Sequence, residues 1–344
     1  MTASKKIYYV IEPANWVIRQ EGLSIFKYMR KEYKEISFEL LPLSLRKLRK
    51  IKNQIIHFGS RNTYMPEVYK CVDPSNSIIL TWYHGTDNDL QYIKIIPEVK
   101  SKIDIIHTSC TLSRNNLIKW GFDYDKIVII PIGIDSELFK KSSEEEKKVF
   151  KRKIGIPEKS VCIGSFQKDG DGWKKGMSPK IIKGPDIFCD AVIKLSKEYP
   201  IFVLLTGPAR GYVKKRLSEN SVPFKHIFIK NFNKIPQYYK GIDYYFITSR
   251  AEGGPKALME SFISGVPLVS TRIGMIKDYC IDKENAMICP SESVNCLVDK
   301  FKEVHENKYL RQKIIENGFE TVKELDWKVV IKSYYEKIYS KYFY

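Results

Sequence analysis

Short apolar runs rich in β-branched residues alternate with amphipathic helical patterns along the whole chain. Strands that alternate with helices predict parallel sheets covered by helices on both faces, so we expect an α/β protein. The predicted strands cover 6–11, 36–41, 54–59, 77–84, 103–108, 126–131, 160–166, 200–207, 226–232, 243–249, 266–271 and 285–290. The predicted helices cover 20–33, 89–101, 111–120, 184–198, 210–219, 235–240, 254–264, 292–306, 308–320 and 326–341.

A polar, charge-dense stretch at 135–153 interrupts this alternation after the sixth predicted strand. At 344 residues the chain is long enough for two domains of ordinary size. We therefore predict two doubly wound, Rossmann-like domains, 1–140 and 141–324. Open α/β sheets bind ligands beyond the carboxyl ends of their strands, so we expect the two domains to face a cleft lined by strand-to-helix loops.

The composition is that of a globular protein, with 43% apolar and 28% charged residues. The formal net charge of +18 favours an anionic partner, which is a nucleic acid, an anionic membrane surface or a phosphorylated substrate. No RNP, zinc-finger or helix-turn-helix pattern accompanies the spread-out lysines, so no nucleic acid is expected. An ordinary solvated surface explains the charge equally well.

Cysteine and histidine usage argues against disulfides and metal. The seven cysteines are odd in number and scattered, without a CxxC pair, which is typical of reduced thiols in the cytoplasm. The five histidines show no ligand spacing, so neither a metal site nor another cofactor is expected. No apolar run is long enough to cross a bilayer, and the N-terminal apolar stretch is too short for a signal peptide.

The stretch "SRAEGGPKALMESFISGVPLVS" at 249–270 carries the strongest chemical signal. It combines a loop after a predicted buried strand with the start of a helix, whose free amides and dipole suit a diphosphate. Gly253 and Gly254 let the backbone approach a ligand closely. Glu252 lies in the loop and Glu260 about two turns into the helix, so each carboxylate is placed to accept hydrogen bonds from the hydroxyls of a sugar or a ribose.

Two interpretations of this spacing are open when it is taken alone. The stretch is either a nucleotide-sugar site or an ordinary helix with an acidic N-terminal residue and a surface pair between Lys256 and Glu260. The bare spacing favours the ordinary helix. In the first interpretation Lys256, at the helix start, is a further candidate for donor binding.

The longer string "EGGPKALMESFISGVPLVST" resembles the E-x7-E signature of family 4 glycosyltransferases, which are retaining enzymes of the GT-B fold. The resemblance implies that Glu260 binds the ribose hydroxyls and Glu252 the hydroxyls of the donor sugar. "IKGPDIFCDAV" resembles the segment whose lysine, here Lys183, neutralises the donor diphosphate. "TWYHGTD" resembles the loop whose histidine, here His84, faces the donor sugar.

The same resemblance extends over most of the chain. "IVIIPIGIDSELF" resembles the strand and linker that close the first domain, and the helix at 325–344 resembles the segment that packs back onto that domain. It further implies transfer on one face of the sugar, with the leaving phosphate deprotonating the acceptor. Neither a dedicated protein base nor a metal ion is then required.

The chain departs from the family pattern after the first strand of its second domain. Family members carry an arginine there, whereas this chain has a long insertion that includes "DGDG", which we interpret as a flexible loop rather than a metal-binding motif. Lys168 and Arg250 are the candidates for the missing cation. Gly207, in the strand-end loop "LLTGPARG", either approaches the donor or makes a turn, and the same alternative applies to Arg210.

The resemblance predicts a retaining hexosyltransferase that uses a UDP- or GDP-sugar and acts on a hydroxyl of a glycan or lipid-linked acceptor in cell-surface polysaccharide or glycoconjugate synthesis. The alternatives are a nucleotide-sugar hydrolase or epimerase of the same fold, and a basic protein that binds nucleic acid or polyphosphate. The tail "KSYYEKIYSKYFY" at 332–344 either rests on an anionic membrane or packs on the first domain. We expect a cytoplasmic protein, with peripheral attachment to the inner face of the membrane as the second option.

Overall fold

A computed structural model describes residues 5–65 and 67–343. It contains a strand at every one of the twelve predicted positions, and each observed strand overlaps the predicted run. The strands are β1 Ile7–Ile11, β2 Phe38–Pro42, β3 Ile55–Phe58, β4 Ser77–Thr81, β5 Ile105–Thr108, β6 Ile127–Ile129, β7 Val161–Phe166, β8 Ile201–Thr206, β9 Phe224–Ile227, β10 Tyr244–Ile247, β11 Leu268–Thr271 and β12 Met287–Cys289.

The helices lie between the strands and after the last one. They are α1 Val17–Glu32, α2 Leu45–Leu48, α3 Leu90–Ile93, α4 Ile96–Val99, α5 Thr111–Lys119, α6 Glu144–Ile154, α7 Pro185–Leu195, α8 Gly211–Glu219, α9 Pro236–Tyr239, α10 Lys256–Ser264, α11 Gly274–Tyr279, α12 Val294–Glu306, α13 Lys308–Lys323 and α14 Trp327–Tyr334. The single helix predicted at 89–101 is instead divided into α3 and α4. Pro97 explains the break, because its ring obstructs the carbonyl four residues earlier and it has no N–H to donate.

The strands form two six-stranded parallel sheets, as the alternating pattern predicts. The first sheet has the order β2-β1-β3-β4-β5-β6, and the second has the order β12-β11-β10-β7-β8-β9. The direction of winding reverses between β1 and β3 in the first sheet and between β7 and β10 in the second. Doubly wound sheets bind ligands beyond the carboxyl ends of the strands at such a switch point. We therefore expect a ligand site at the loops that leave β1 and β3 or at those that leave β7 and β10.

Contacts divide the chain into two units. Unit 1 comprises Met1–Gly133, Glu252–Gly254 and Leu325–Tyr344, and unit 2 comprises Ile134–Ala251 and Pro255–Glu324. Within the described residues, no helix is both long and apolar enough to cross a membrane.

The C-terminal segment of unit 1 is held by hydrogen bonds to two buried histidines of the sheet. The Tyr339 hydroxyl lies 2.6 Å from Nδ1 of His57, and the Tyr334 hydroxyl lies 3.2 Å from Nε2 of His107. Thr81 bridges the two imidazoles through its hydroxyl. Both tyrosines are completely buried, so these rings pack on the sheet of unit 1 and are not available to a membrane.

We expect acid to destabilise unit 1 through this cluster. Burial lowers the pKa of His57 well below its ordinary value and that of His107 to about 4. A histidine with a depressed folded-state pKa binds more protons when unfolded, so its stabilising effect is complete above the unfolded value of 6.5 and is lost as the pH falls towards 4. For His107 alone the free energy of unfolding should fall by roughly 2 kcal/mol from about pH 7 to pH 5.

Urea denaturation of wild type and of His107→Gln at these two pH values measures this effect. The variant should lose less stability on acidification than wild type, because the group that titrates has been removed. Tyr309→Phe is the control, since Tyr309 is an exposed residue of unit 2 and its replacement should leave the pH dependence unchanged. Equal acid sensitivity of wild type and His107→Gln would contradict the assignment.

Candidate active site

A tight turn at Lys183 and Gly184 ends the long loop that leaves β7 and begins α7. Gly184 has a φ of 60°, and a Cβ at this position would lie 1.9 Å from the carbonyl oxygen of Thr248. Only glycine fits such a conformation and such a close approach. The hydroxyl of Thr248, which follows β10, donates to the Gly184 carbonyl at 2.8 Å, so the turn is fixed against the end of β10.

Further hydrogen bonds join the loops that leave β7 and β10. The side-chain amide of Gln167 donates to the carbonyl of Lys183 at 3.3 Å. The backbone N–H of Arg250 donates to the carbonyl of Ile182 at 2.8 Å. The partly buried Lys183 is therefore held at the switch point of the second sheet, where the topology favours ligand binding.

The side chain of Arg250 links this pair of loops through hydrogen bonds. Its guanidinium donates to both carboxylate oxygens of Asp186 at 2.8 and 2.6 Å and to the carbonyl of Ile181 at 2.6 Å. It also pairs with Glu292. The hydrogen bonds from Arg250 lower the pKa of the Asp186 carboxyl. The predicted role of Arg250 as a diphosphate cation stays a prediction, and the contacts give it a structural role that the sequence did not suggest.

Glu260 receives a hydrogen bond from a buried tyrosine that sequence reasoning missed. The hydroxyl of Tyr239, in α9, donates to Oε2 of Glu260 at 2.9 Å. The Tyr239 ring stacks on Tyr245 and meets the edge of Phe166, with centroids 5.7 and 5.1 Å away. Burial and the neighbouring carboxylate raise the pKa of Tyr239 well above its ordinary value, so the hydroxyl stays protonated and donates. The two residues lie on different helices, and no local sequence pattern reveals their contact.

Tyr239→Phe should weaken donor binding while leaving the fold intact. The change removes one hydrogen bond to a carboxylate, and such bonds contribute about 1.5–3 kcal/mol. Because the bond orients Glu260 rather than a reacting atom, we expect KM for the donor to rise roughly tenfold with kcat within about threefold of wild type. Tyr238→Phe, one residue away in α9, is the matched control. A change in kcat with unaltered KM would contradict the proposed positioning role.

Backbone hydrogen bonds close the insertion that contains "DGDG" into a hairpin. An antiparallel bridge joins Gly170 to Pro179, and the N–H of Asp171 donates to the carbonyl of Ser178 at 2.9 Å. Lys168, at the base, places its ammonium 4.1 Å from the centre of the Trp173 ring. Among the described residues there is no group of three or more His, Cys, Asp or Glu side chains that could hold a metal ion.

A buried ion pair fixes this hairpin to the start of α8. Nη2 of Arg210 lies 3.1 Å from Oδ2 of Asp169, and neither side chain is exposed. Neither Asp169 oxygen accepts a hydrogen bond from the described residues, so the contact is an ion pair without an aligned hydrogen bond. Arg210 also donates to the carbonyl of Gln167 at 2.6 Å and to the hydroxyl of Ser165 at 3.0 Å. Arg210 therefore fixes the backbone of Gln167, whose side chain in turn holds the Lys183 turn.

Gly207, at the end of β8, packs against the loop that leaves β7. Its φ is 85°, and a Cβ there would lie 2.5 Å from the carbonyl oxygen of Gln167. Its own carbonyl accepts a hydrogen bond from Nε2 of His226 at 2.7 Å. Of the two roles the sequence left open for Gly207 and Arg210, these contacts favour the turn.

Four of the remaining candidates belong to unit 1 and lie in or against the loop after β4. Glu252, Gly253 and Gly254 belong to unit 1, where a Cβ on Gly253 would lie 1.9 Å from the carbonyl oxygen of Tyr83. The next residue, His84, is exposed and lies beyond the end of β4 rather than inside the predicted strand. The loops of Glu252 and His84 therefore meet. Lys256 is the first residue of α10 and is partly buried.

Comparison with known proteins identifies the class. Residues 178–321 match the family described as Glycosyl transferases group 1. A protein described as an uncharacterized glycosyltransferase of Methanocaldococcus jannaschii is 22% identical in an alignment of 329 residues that covers 85% of this chain and 92% of that protein. The lipopolysaccharide core biosynthesis mannosyltransferase LpsB of Rhizobium meliloti is 23% identical over 181 residues, 50% of this chain and 48% of the relative.

A solved structure shows the same fold over nearly the whole chain. HepE of Anabaena, crystallised with UDP-glucose, has a TM-score of 0.81 at 14% identity and covers 98% of this chain and 99% of its own. The two parallel six-stranded sheets described above are thus those of the GT-B fold. The match over residues 178–321 and the two similar proteins identify the enzyme as a glycosyltransferase.

Proposed function

We propose that the protein is a retaining enzyme that transfers a hexosyl group from a UDP-sugar to a hydroxyl of a glycan or lipid-linked acceptor in cell-surface polysaccharide or glycoconjugate synthesis. The observation that carries the proposal is the attachment of the Lys183–Gly184 turn to the end of β10, directly before the loop of Glu252. A cation for the diphosphate is then supplied at the switch point of the second sheet, where doubly wound sheets bind ligands. Glu260, on the helix that follows, is the carboxylate for the ribose.

In the proposed reaction the bond between the sugar C1 and the diphosphate oxygen breaks, and its electron pair stays on the leaving diphosphate. A bond forms between C1 and the acceptor oxygen on the same face of the ring, and the acceptor proton passes to the leaving phosphate oxygen. Lys183 stabilises the negative charge that develops on the diphosphate. His84 and Glu252 hold the sugar through hydrogen bonds, and no protein base takes part.

The choice of donor and acceptor is supported by similar proteins. HepE of Anabaena is described in complex with UDP and glucose and with UDP-glucose, which favours a uridine nucleotide over a guanosine nucleotide. LpsB of Rhizobium meliloti is described as a mannosyltransferase of lipopolysaccharide core biosynthesis, which favours a glycan or glycolipid acceptor.

A donor screen tests the proposal. The protein is incubated with UDP-, GDP- and ADP-sugars, with and without a crude membrane fraction as acceptor, while nucleotide release and thermal stability are followed. We expect a UDP-sugar to raise Tm and to release UDP, and proton NMR of the product should show the anomeric configuration of the donor. An inverted product would exclude the retaining mechanism, and a protein that no nucleotide sugar stabilises would contradict the donor site as a whole.

A further inference from the structure

The tip of the insertion hairpin exposes large apolar side chains next to lysines. Trp173 is 59% and Met177 is 50% exposed, and Lys174 and Lys175 lie between them in the sequence. Residues 168–180 contain four lysines and two aspartates, one of which is the buried partner of Arg210. An exposed indole beside several ammonium groups is typical of segments that lie at a membrane–water interface.

A basic groove continues from the hairpin along α8. It has a volume of about 600 Å³ and is lined by residues of the hairpin, of α8 and of the edge strand β9. Three of its lining residues are lysines, namely Lys175, Lys214 and Lys215, and Met177 provides an apolar wall. The groove and the hairpin tip therefore form one surface, here called the hairpin surface, which is cationic with apolar side chains at its outer end.

The hairpin is held rigidly in this position. The N–H groups of Gly211 and Tyr212, in the first turn of α8, donate to the carbonyls of Lys175 and Gly176, both at 2.8 Å. These carbonyls satisfy amides that a helix start otherwise leaves without partners. Together with the ion pair at the hairpin base, they fix the backbone close to Trp173, which lowers the ordering cost on binding.

We propose that the hairpin surface docks the enzyme on an anionic phospholipid membrane. Lysines alone would bind any polyanion, but the exposed Trp173 and Met177 make no favourable contact with a soluble phosphate. At a lipid interface the ammonium groups bind the anionic headgroups, and the indole lies favourably at the boundary with the acyl chains. This inference concerns binding and stands independently of the sugar that is transferred. It assigns the membrane contact to a part of the chain other than the C-terminal tail, for which the sequence left membrane contact as one of two options.

Sedimentation with vesicles tests the proposal without donor or acceptor. The full-length protein is mixed with phosphatidylcholine vesicles that contain or lack phosphatidylglycerol. We expect binding only to the anionic vesicles, weakened about tenfold in Trp173→Ala/Lys174→Gln, which removes one aromatic and one charged anchor. The matched control is Lys308→Gln/Tyr309→Ala, which removes an exposed lysine and an adjacent exposed aromatic elsewhere in unit 2 and should leave binding unchanged.

Three results would overturn the proposal. Equal binding to neutral vesicles would show that the lysines do not contribute, and equal weakening by both double variants would show that the hairpin is not special. Loss of polyphosphate binding in the hairpin variant, with vesicle binding retained, would assign the surface to a soluble polyanion. Thermal unfolding of both variants checks that the exposed substitutions leave the fold intact.

Discussion

Lys183→Ala is expected to lower kcat about 10²–10³-fold, the loss observed when one group that stabilises developing charge is removed from an active site. The Lys183 backbone is fixed by its bond from Gln167 and by the Gly184 turn, so truncation of the side chain should leave the turn in place. Charge on the diphosphate increases as the bond to the sugar breaks. The effect should therefore be much larger on kcat than on the Kd for UDP-sugar.

Two variants show whether the charge and its position are responsible. Lys183→Arg keeps the positive charge and should retain more activity than Lys183→Ala, although a guanidinium is larger and differently shaped. Lys197→Ala removes an exposed lysine just after α7 and should behave as wild type. If Lys183→Ala weakens the binding of UDP-sugar and leaves kcat unchanged, Lys183 contributes uniform binding and not transition-state stabilisation.

The alternation of apolar runs and helical patterns was enough to predict the fold. Parallel strands are buried on both faces, so each one appears in the sequence as a nearly continuous apolar run that is easy to recognise. The strand bounds were less exact. The run at 226–232 predicts a strand that in fact ends at Ile227, and Phe228 beyond it is exposed although apolar. In the sequence, an apolar residue beyond the end of a strand cannot be distinguished from one within the strand.

The site was predictable where a local motif carries it and not where distant residues meet. The Gly184 turn and the helix start at Lys256 follow from short strings. The bond from Tyr239 to Glu260 joins two helices, and the pair of Asp169 and Arg210 joins two loops 41 residues apart. Asp169 in particular was assigned to a flexible loop because of the neighbouring glycines, whereas Gly170 and Gly176 allow close backbone packing against Ala209, just before α8.

Arg210→Met should cost about 3–5 kcal/mol in the free energy of unfolding, because it leaves Asp169 buried without its cation. Burial already raises the pKa of Asp169, and Arg210 partly offsets that effect. A carboxyl whose folded-state pKa exceeds its ordinary value of 3.8 destabilises the fold most above that raised pKa, and the cost disappears as the pH falls below 3.8. The stability gap between variant and wild type should therefore narrow on acidification, as measured by urea denaturation at several pH values.

Arg216→Met is the comparison, because it removes an ordinary ion pair between α8 and α7 instead of the buried pair. Arg216 contacts Asp190 at 2.6 Å, but the two side chains are 30% and 46% exposed, so this loss should stay below about 1 kcal/mol. Asp169→Asn/Arg210→Met should regain most of the stability lost in Arg210→Met, since no buried charge remains. If the double variant is as unstable as Arg210→Met, the cost comes from the lost bonds to Gln167 and Ser165 and not from the uncompensated carboxylate.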